Sequence, residues 1–200
     1  MLQTIDDWVE FNIRKKGDIS EHLLTLKRYA EECEHVTELG VRWVSSTWGL
    51  LAGKPKKMKS FDINPLPLDM EQEIQKLAAQ QGTEWVFIRE NVLNTSQIDA
   101  TDLLFIDTLH SYKQLRTELD YHAHKAKKYI ILHDTATFGH HNEGNVDETH
   151  LDDLTKTYLR QLRNKQGLLP ALADFLDLSK EWKIKEVFLN NNGLTVLERV

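Results

Sequence analysis

Two hundred residues, 40% of them hydrophobic and 28% charged with nine glycines and four prolines, are enough to bury a core and exclude collagen-like, low-complexity and disordered chains. The net charge of −6 argues against a duplex-binding face, and a lone cysteine, Cys33, excludes an internal disulfide and a cysteine-built zinc site. The longest apolar runs, 103–106 and 129–132, are too short to cross a bilayer, and residues 1–7 lack the basic and apolar stretches of a signal peptide. A cytoplasmic protein with no nucleic-acid and no membrane partner is expected.

The chain reads as one domain over 1–200, with an N-terminal helical cap (1–33) and a core (34–200). Asp18 and Glu21 have capping-box spacing, followed by an apolar helical face from Leu23 to Ala30. A strand at 35–39 runs into Gly40. Lys54, Lys56, Lys57 and Lys59 read as a solvated loop merging into a second strand, 57–63. A helix is predicted from Asp69 to about Gln81, then strands at 85–88 and 102–107, the latter almost continuously apolar, as strands buried on both faces are. A helix over 111–126, a strand over 129–133, and helices over 151–164 and 168–176 follow. Asn192-Gly193 between apolar stretches 184–189 and 194–197 predicts an antiparallel hairpin. Strands alternating with helices make this an α/β chain with a mostly parallel sheet covered on both faces.

In open parallel sheets, ligands sit beyond the carboxyl ends of the strands. Here those ends carry Glu38 and Gly40, Asp62 and Asn64, Glu90 and Asn91, Asp107 and His110, and His133 and Asp134. A purely structural sheet has no need of so many polar ends, because burying them is costly unless they are paired. Each residue also has a plainer reading: Gly40 as a strand terminator, Asp62 as a turn residue before Asn64-Pro65, Asn91 as a loop stabiliser, and His110 as a satisfied buried histidine.

The Glu38-Leu39-Gly40 segment, the acidic Asp62 and the terminal hairpin resemble class I S-adenosylmethionine-dependent methyltransferases, with a three-layer Rossmann-like fold and a seven-stranded sheet. The run Asp107-Thr108-Leu109-His110-Ser111-Tyr112 resembles the D-x-x-H-x-Y segment of small methyltransferases related to the cephalosporin hydroxylase and macrolide sugar O-methyltransferase group. His133-Asp134-Thr135, Gly167-Leu168-Leu169-Pro170-Ala171 and Asn191-Asn192-Gly193-Leu194 fit the same pattern, so the resemblance spans residues 20–200. It implies O-methylation of a small-molecule acceptor, such as a sugar or glycosylated metabolite; a homodimer is one option for a small enzyme of this kind, and the sequence leaves the oligomeric state open.

The resemblance also implies roles. Glu38, Gly40, Arg42, Ser45, Thr47, Asp62, Asn91 and Asp107 would bind the cofactor, with Asp62 on the ribose hydroxyls and Asn91 on the adenine amino group. His110 would be the general base beside Asp107, and Asp107, His133 and Asp134 would hold Mg²⁺ or Mn²⁺. Two departures stand out. Val44 and Ser45 occupy positions where the family has a second glycine, so a looser loop is expected, or one whose Ser45, Ser46 and Thr47 hydroxyls take over contacts to the cofactor carboxylate. His133-Asp134 replaces a Glu-Asp pair, so one oxygen ligand is missing and a softer metal becomes an option.

His122 and His124 read as surface or packing residues, His140 and His141 as part of a polar lid over 139–149, Cys33 as inert, and Trp43 and Trp48 as core or cavity wall. Two other classes stay open: a non-catalytic binding protein, favoured by the altered loop, and a metal-dependent hydrolase using His110, His133, Asp134 and His140.

Overall fold

The computed structural model describes residues 2–94 and 98–200. Helix α1 (Ile5–Lys15) begins at a capping box in which Thr4 Oγ1 accepts from the Asp7 amide and Asp7 accepts from the Thr4 amide. The sequence reading placed that box at Asp18 and Glu21 instead. There the chain makes a short 3₁₀ turn, Ser20–His22, and runs into α2 (Leu23–Ala30) with no side-chain cap.

Next come β1 (His35–Leu39), α3 (Ser45–Leu51), β2 (Lys57–Asp62), α4 (Leu68–Gln80), β3 (Glu84–Arg89) and β4 (Thr101–Ile106). Helix α5 (Tyr112–His122) starts at Ser111, whose hydroxyl caps it, and leads through a 3₁₀ turn to β5 (Ala126–His133). Helices α6 (Asp153–Gln161) and α7 (Leu168–Leu178) precede β6 (Trp182–Phe188) and β7 (Leu194–Arg199).

Every predicted strand forms. Helix α3 was missed because its sequence, rich in Ser, Thr and Trp with a glycine inside, has weak helical propensity. Packing against α2 supplies what propensity lacks. A side chain at Gly49 would press on Leu23, and one at Gly53 would lie 2.7 Å from the Ala30 carbonyl carbon, so both glycines let the two helices close up.

The strand order is β3-β2-β1-β4-β5-β7-β6, parallel from β3 to β5 and antiparallel at β5-β7-β6. The order reverses between β1 and β4, where open α/β sheets form their binding crevice. Side-chain alternation along β4 separates two cores. Leu103 and Phe105 join Trp48, Leu26 and Ile74 on one face, and Leu104 and Ile106 join Leu115, Leu119 and Phe175 on the other. The result is a three-layer, seven-stranded α/β sandwich. Among the described residues, no helix is long and apolar enough to cross a membrane.

Candidate active site

A cavity of about 490 Å³ opens beyond the carboxyl ends of β1 to β5. Gly40, Arg42, Ser45, Asp62, Asn91, Asp107, His110 and Asp134 all lie on its wall. Glu38, Thr47 and His133 do not.

The loop after β1 is tight, not loose. Gly40 (φ 88°), Arg42 (φ 42°) and Val44 (φ 57°) all take left-handed backbone conformations. A β-branched residue such as Val44 rarely does so. Its buried side chain within the core offsets the strain. Asp62 holds this loop from below: Oδ2 accepts from the amides of Val41 (2.9 Å) and Arg42 (3.1 Å), and Oδ1 accepts from Asn64 N (2.8 Å). Asp62 is thus a loop clamp at the cavity edge. Asn91 is likewise partly engaged, with Oδ1 accepting from Leu93 N at 3.0 Å.

The hydroxyls expected on the cofactor carboxylate have partners within the protein. Ser46 and Thr47 donate to Glu38 at 2.7 and 2.9 Å, Ser60 donates to it at 2.7 Å, and Ser45 donates to Asn12 at 2.9 Å. Glu38 is fully buried behind the wall. Burial pushes its carboxyl up to about 7, against the lowering effect of Ser60, Ser46 and Thr47. Glu38 therefore ties β1, β2 and α3 together from behind the cavity wall. Gly40 is required by its neighbour: an added Cβ would fall 1.9 Å from the Asp107 carbonyl oxygen.

At the other end of the cavity, His110 sits among three carboxylates. Its Nε2 lies 3.1 Å from Asp107 Oδ1 and 3.0 Å from Asp134 Oδ2, and its Nδ1 lies 2.9 Å from Glu143 Oε2. The ring stacks on Phe138 with centroids 4.9 Å apart. Burial disfavours a charged ring, but Asp107, Asp134 and Glu143 outweigh it and raise the His110 pKa. Burial likewise opposes an ionised Asp107, yet His110 and His133 hold its carboxyl well below the usual range.

Glu143 was not found from the sequence. It lies 33 residues from His110 in a polar loop, and nothing local marks it. Its amide also donates to the His110 backbone carbonyl at 2.8 Å, so the loop holds both the ring and the main chain of His110.

His133 lies behind the cavity wall, beside the two carboxylates with which it was expected to hold a metal. It is buried, with Nδ1 3.4 Å from Asp107 and 3.2 Å from Asp134, Nε2 near Asn191 O, and its ring against His22. Those Nδ1 distances bring charges together without hydrogen-bond alignment. Among the described residues, the group able to hold a cation is Asp107, His110 and Asp134, with one donor atom from each lying within 4.8 Å of the others. His140 is outside that group, so the four-residue hydrolase set does not assemble. Asp134 enters the cavity through a left-handed turn (φ 59°), and its buried Oδ1 has no hydrogen-bond partner. His122 is buried, bonded to Val92 O, and Trp48 is core, while Trp43 is exposed on the cavity rim.

One pH response follows from His133. Burial lowers its pKa, but Asp107 and Asp134 outweigh that and raise it to about 10. A folded-state pKa above the ordinary 6.5 contributes stability that is complete below pH 6.5 and fades as pH rises towards 10. Urea-unfolding midpoints in chelator are expected to fall across that window and to flatten in His133→Gln. An unchanged fall in the variant would assign it elsewhere.

No protein-family profile and no curated protein matches this sequence. Solved structures do. An O-methyltransferase from Bacillus cereus in complex with S-adenosylhomocysteine is 10% identical, with a TM-score of 0.59 over 98% of this chain and 90% of that one. A putative caffeoyl-CoA O-methyltransferase from Staphylococcus aureus is 13% identical, with a TM-score of 0.58 over 99% and 93%. An S-adenosylhomocysteine-bound methyltransferase from Podospora anserina is 15% identical, with a TM-score of 0.53 over 100% and 89%. The chain shares its fold with these methyltransferase structures.

Proposed function

We propose that the protein transfers a methyl group from S-adenosylmethionine to a hydroxyl of a small molecule, with a sugar or glycosylated metabolite as the first candidate. The observation that carries this reading is convergence. The Gly40–Ser46 loop, Asp62 and Asn91 share one cavity with His110 and its carboxylates, at the switch point of a methyltransferase fold.

Bound S-adenosylmethionine supplies an electrophilic methyl on a sulfonium. The chain supplies the rest. The loop clamped by Asp62 and the Asn91 segment orient the cofactor. His110, on the cavity wall, is the residue to take the hydroxyl proton as the oxygen attacks in line. With Glu143 accepting from Nδ1 the lone pair falls on Nε2, which lies 3.1 Å from Asp107 and 3.0 Å from Asp134, so a cation that drew those carboxylates to itself would free it for the acceptor.

The unpartnered Asp134 Oδ1 and the adjacent Asp107 fit a divalent cation that keeps several waters, as Mg²⁺ does. Such a cation would act as a Lewis acid on the acceptor diol. His110 Nε2 has a single lone pair, so it either takes a proton or binds metal. With Mg²⁺ held by the two carboxylates it would stay free as the base, whereas a softer metal would recruit it.

The test is methyl transfer itself. Methyl-labelled S-adenosylmethionine, Mg²⁺ and a panel of catechols and sugars should yield a labelled ether. Label recovered solely in unreacted cofactor across the panel would contradict the proposal.

A further inference from the structure

Taking the methyl-transfer reading as its basis, we infer that Gln114 recognises the amino group of the cofactor's adenine, with the buried Glu118 as its positioning residue. Gln114 stands on the cavity wall in the first turn of α5. Its Nε2 donates to Glu118 Oε1 at 2.7 Å, and Thr108 Oγ1 donates to the same oxygen at 2.6 Å. Glu118 is fully buried. A carboxylate oxygen accepts, so the amide turns its nitrogen towards Glu118 and its oxygen away. That oxygen, Oε1, is not sealed inside the protein, and among the described residues no group donates to it. Gln114 as a whole is only 7% exposed, so its amide is an acceptor held in one direction by a water-poor wall.

The helix face says which part of a ligand it meets. Gln114, Glu118 and His122 follow at four-residue steps along α5. His122 Nε2 donates to the Val92 carbonyl at 2.8 Å, so this face looks towards the 91–93 segment. The His110 ring turns elsewhere, to Asp134 and Phe138. With proton removal at His110, the adenosine end of the cofactor would lie by residues 91–93. There Phe61, Ile63, Val92, Leu93 and Leu109 offer apolar walls to a flat ring.

An adenine amino group needs an acceptor at that end, and the 91–93 segment has engaged its own. The Asn91 carbonyl accepts from Asn94 N at 3.0 Å, and Asn91 Oδ1 accepts from Leu93 N at 3.0 Å. The Val92 carbonyl accepts from His122, and the Leu93 carbonyl accepts from Thr155 Oγ1 at 2.9 Å. Glu90 is also on the wall, but it is half-buried, and among the described residues nothing fixes its side chain. Gln114 Oε1 combines a free lone pair with a fixed direction, which is what discrimination by a hydrogen bond requires.

The test compares S-adenosylhomocysteine with S-inosylhomocysteine, its deaminated form, in which an oxygen acceptor replaces the amino donor. Each is titrated calorimetrically into the full chain and into variants whose melting curves show them folded. The parent should bind the adenosyl compound at least about tenfold more tightly, because the inosyl oxygen would face Gln114 Oε1 with no proton between them. In Gln114→Met, similar in length but unable to accept such a bond, the ratio should fall to within about threefold. Glu118→Gln, which can still accept from Gln114, should keep the ratio, and Glu118→Leu, which cannot, should lose most of it. A merely structural Glu118 would weaken both compounds together and leave the ratio unchanged. A parent ratio near one, a ratio preserved in Gln114→Met, or a collapse in Glu90→Ala instead would overturn the inference and leave the methyltransferase reading standing. Binding of neither compound to the parent would overturn both.

Discussion

Gly40→Ala is expected to lower stability by roughly 4 kcal/mol or more, the range of severe core changes, and to abolish cofactor binding. The added methyl would lie 1.9 Å from the Asp107 carbonyl oxygen and 2.6 Å from its carbonyl carbon. Both are backbone atoms, so no side chain can swing away. The backbone at Gly40 is also left-handed, at φ 88°, which L side chains disfavour. The chain must therefore part at the β1–β4 junction, where Asp107 N donates to Leu39 O at 2.8 Å. For a domain of this size, the melting temperature should drop by about 10 °C or more. A melting temperature within two or three degrees (roughly one kcal/mol) of the parent would mean that the junction is softer than its contacts indicate.

The second large effect is on turnover. His110→Ala should reduce methyl transfer to whichever acceptor of the catechol and sugar panel the parent turns over by about 10²- to 10⁴-fold, the usual worth of a positioned general base. Cofactor affinity should stay within a few-fold, because the Gly40–Ser46 loop and Asp62 are untouched. Removing the ring also leaves Asp107, Asp134 and Glu143 without the imidazole between them. His110→Gln, which keeps some volume and polarity, guards against reading a folding defect as lost chemistry. Full activity in a folded variant would remove His110 from the mechanism.

The strands were legible because their patterns depend on short-range physics. Leu103 to Ile106 are apolar because both faces are covered, and Asn192-Gly193 sits at the hairpin turn, where both residues take positive φ. Asp107 and His110 were legible as a pair because three residues past a strand end bring both to one cavity. What was hidden is tertiary. Glu143 meets His110 across 33 residues, and Ser46 and Thr47 turn inward because a buried Glu38 needs donors. Asp62 spends its oxygens on loop amides. His133 and Asp134, adjacent in sequence, part company because the backbone turns left-handed at Asp134. One then faces His22 and the other the cavity. The start of α1, within the expected helical cap, is a different case: Thr4 and Asp7 carry its capping-box signal in plain view.

The most direct test of the account is calorimetric titration of the full chain with S-adenosylmethionine and S-adenosylhomocysteine, with and without Mg²⁺. One-to-one binding in the micromolar range is predicted, weakened in Asp62→Ala because the clamp on Val41 and Arg42 is lost. No binding of either ligand under any metal condition would contradict the account, and the cavity would then belong to a protein that kept the fold without the cofactor.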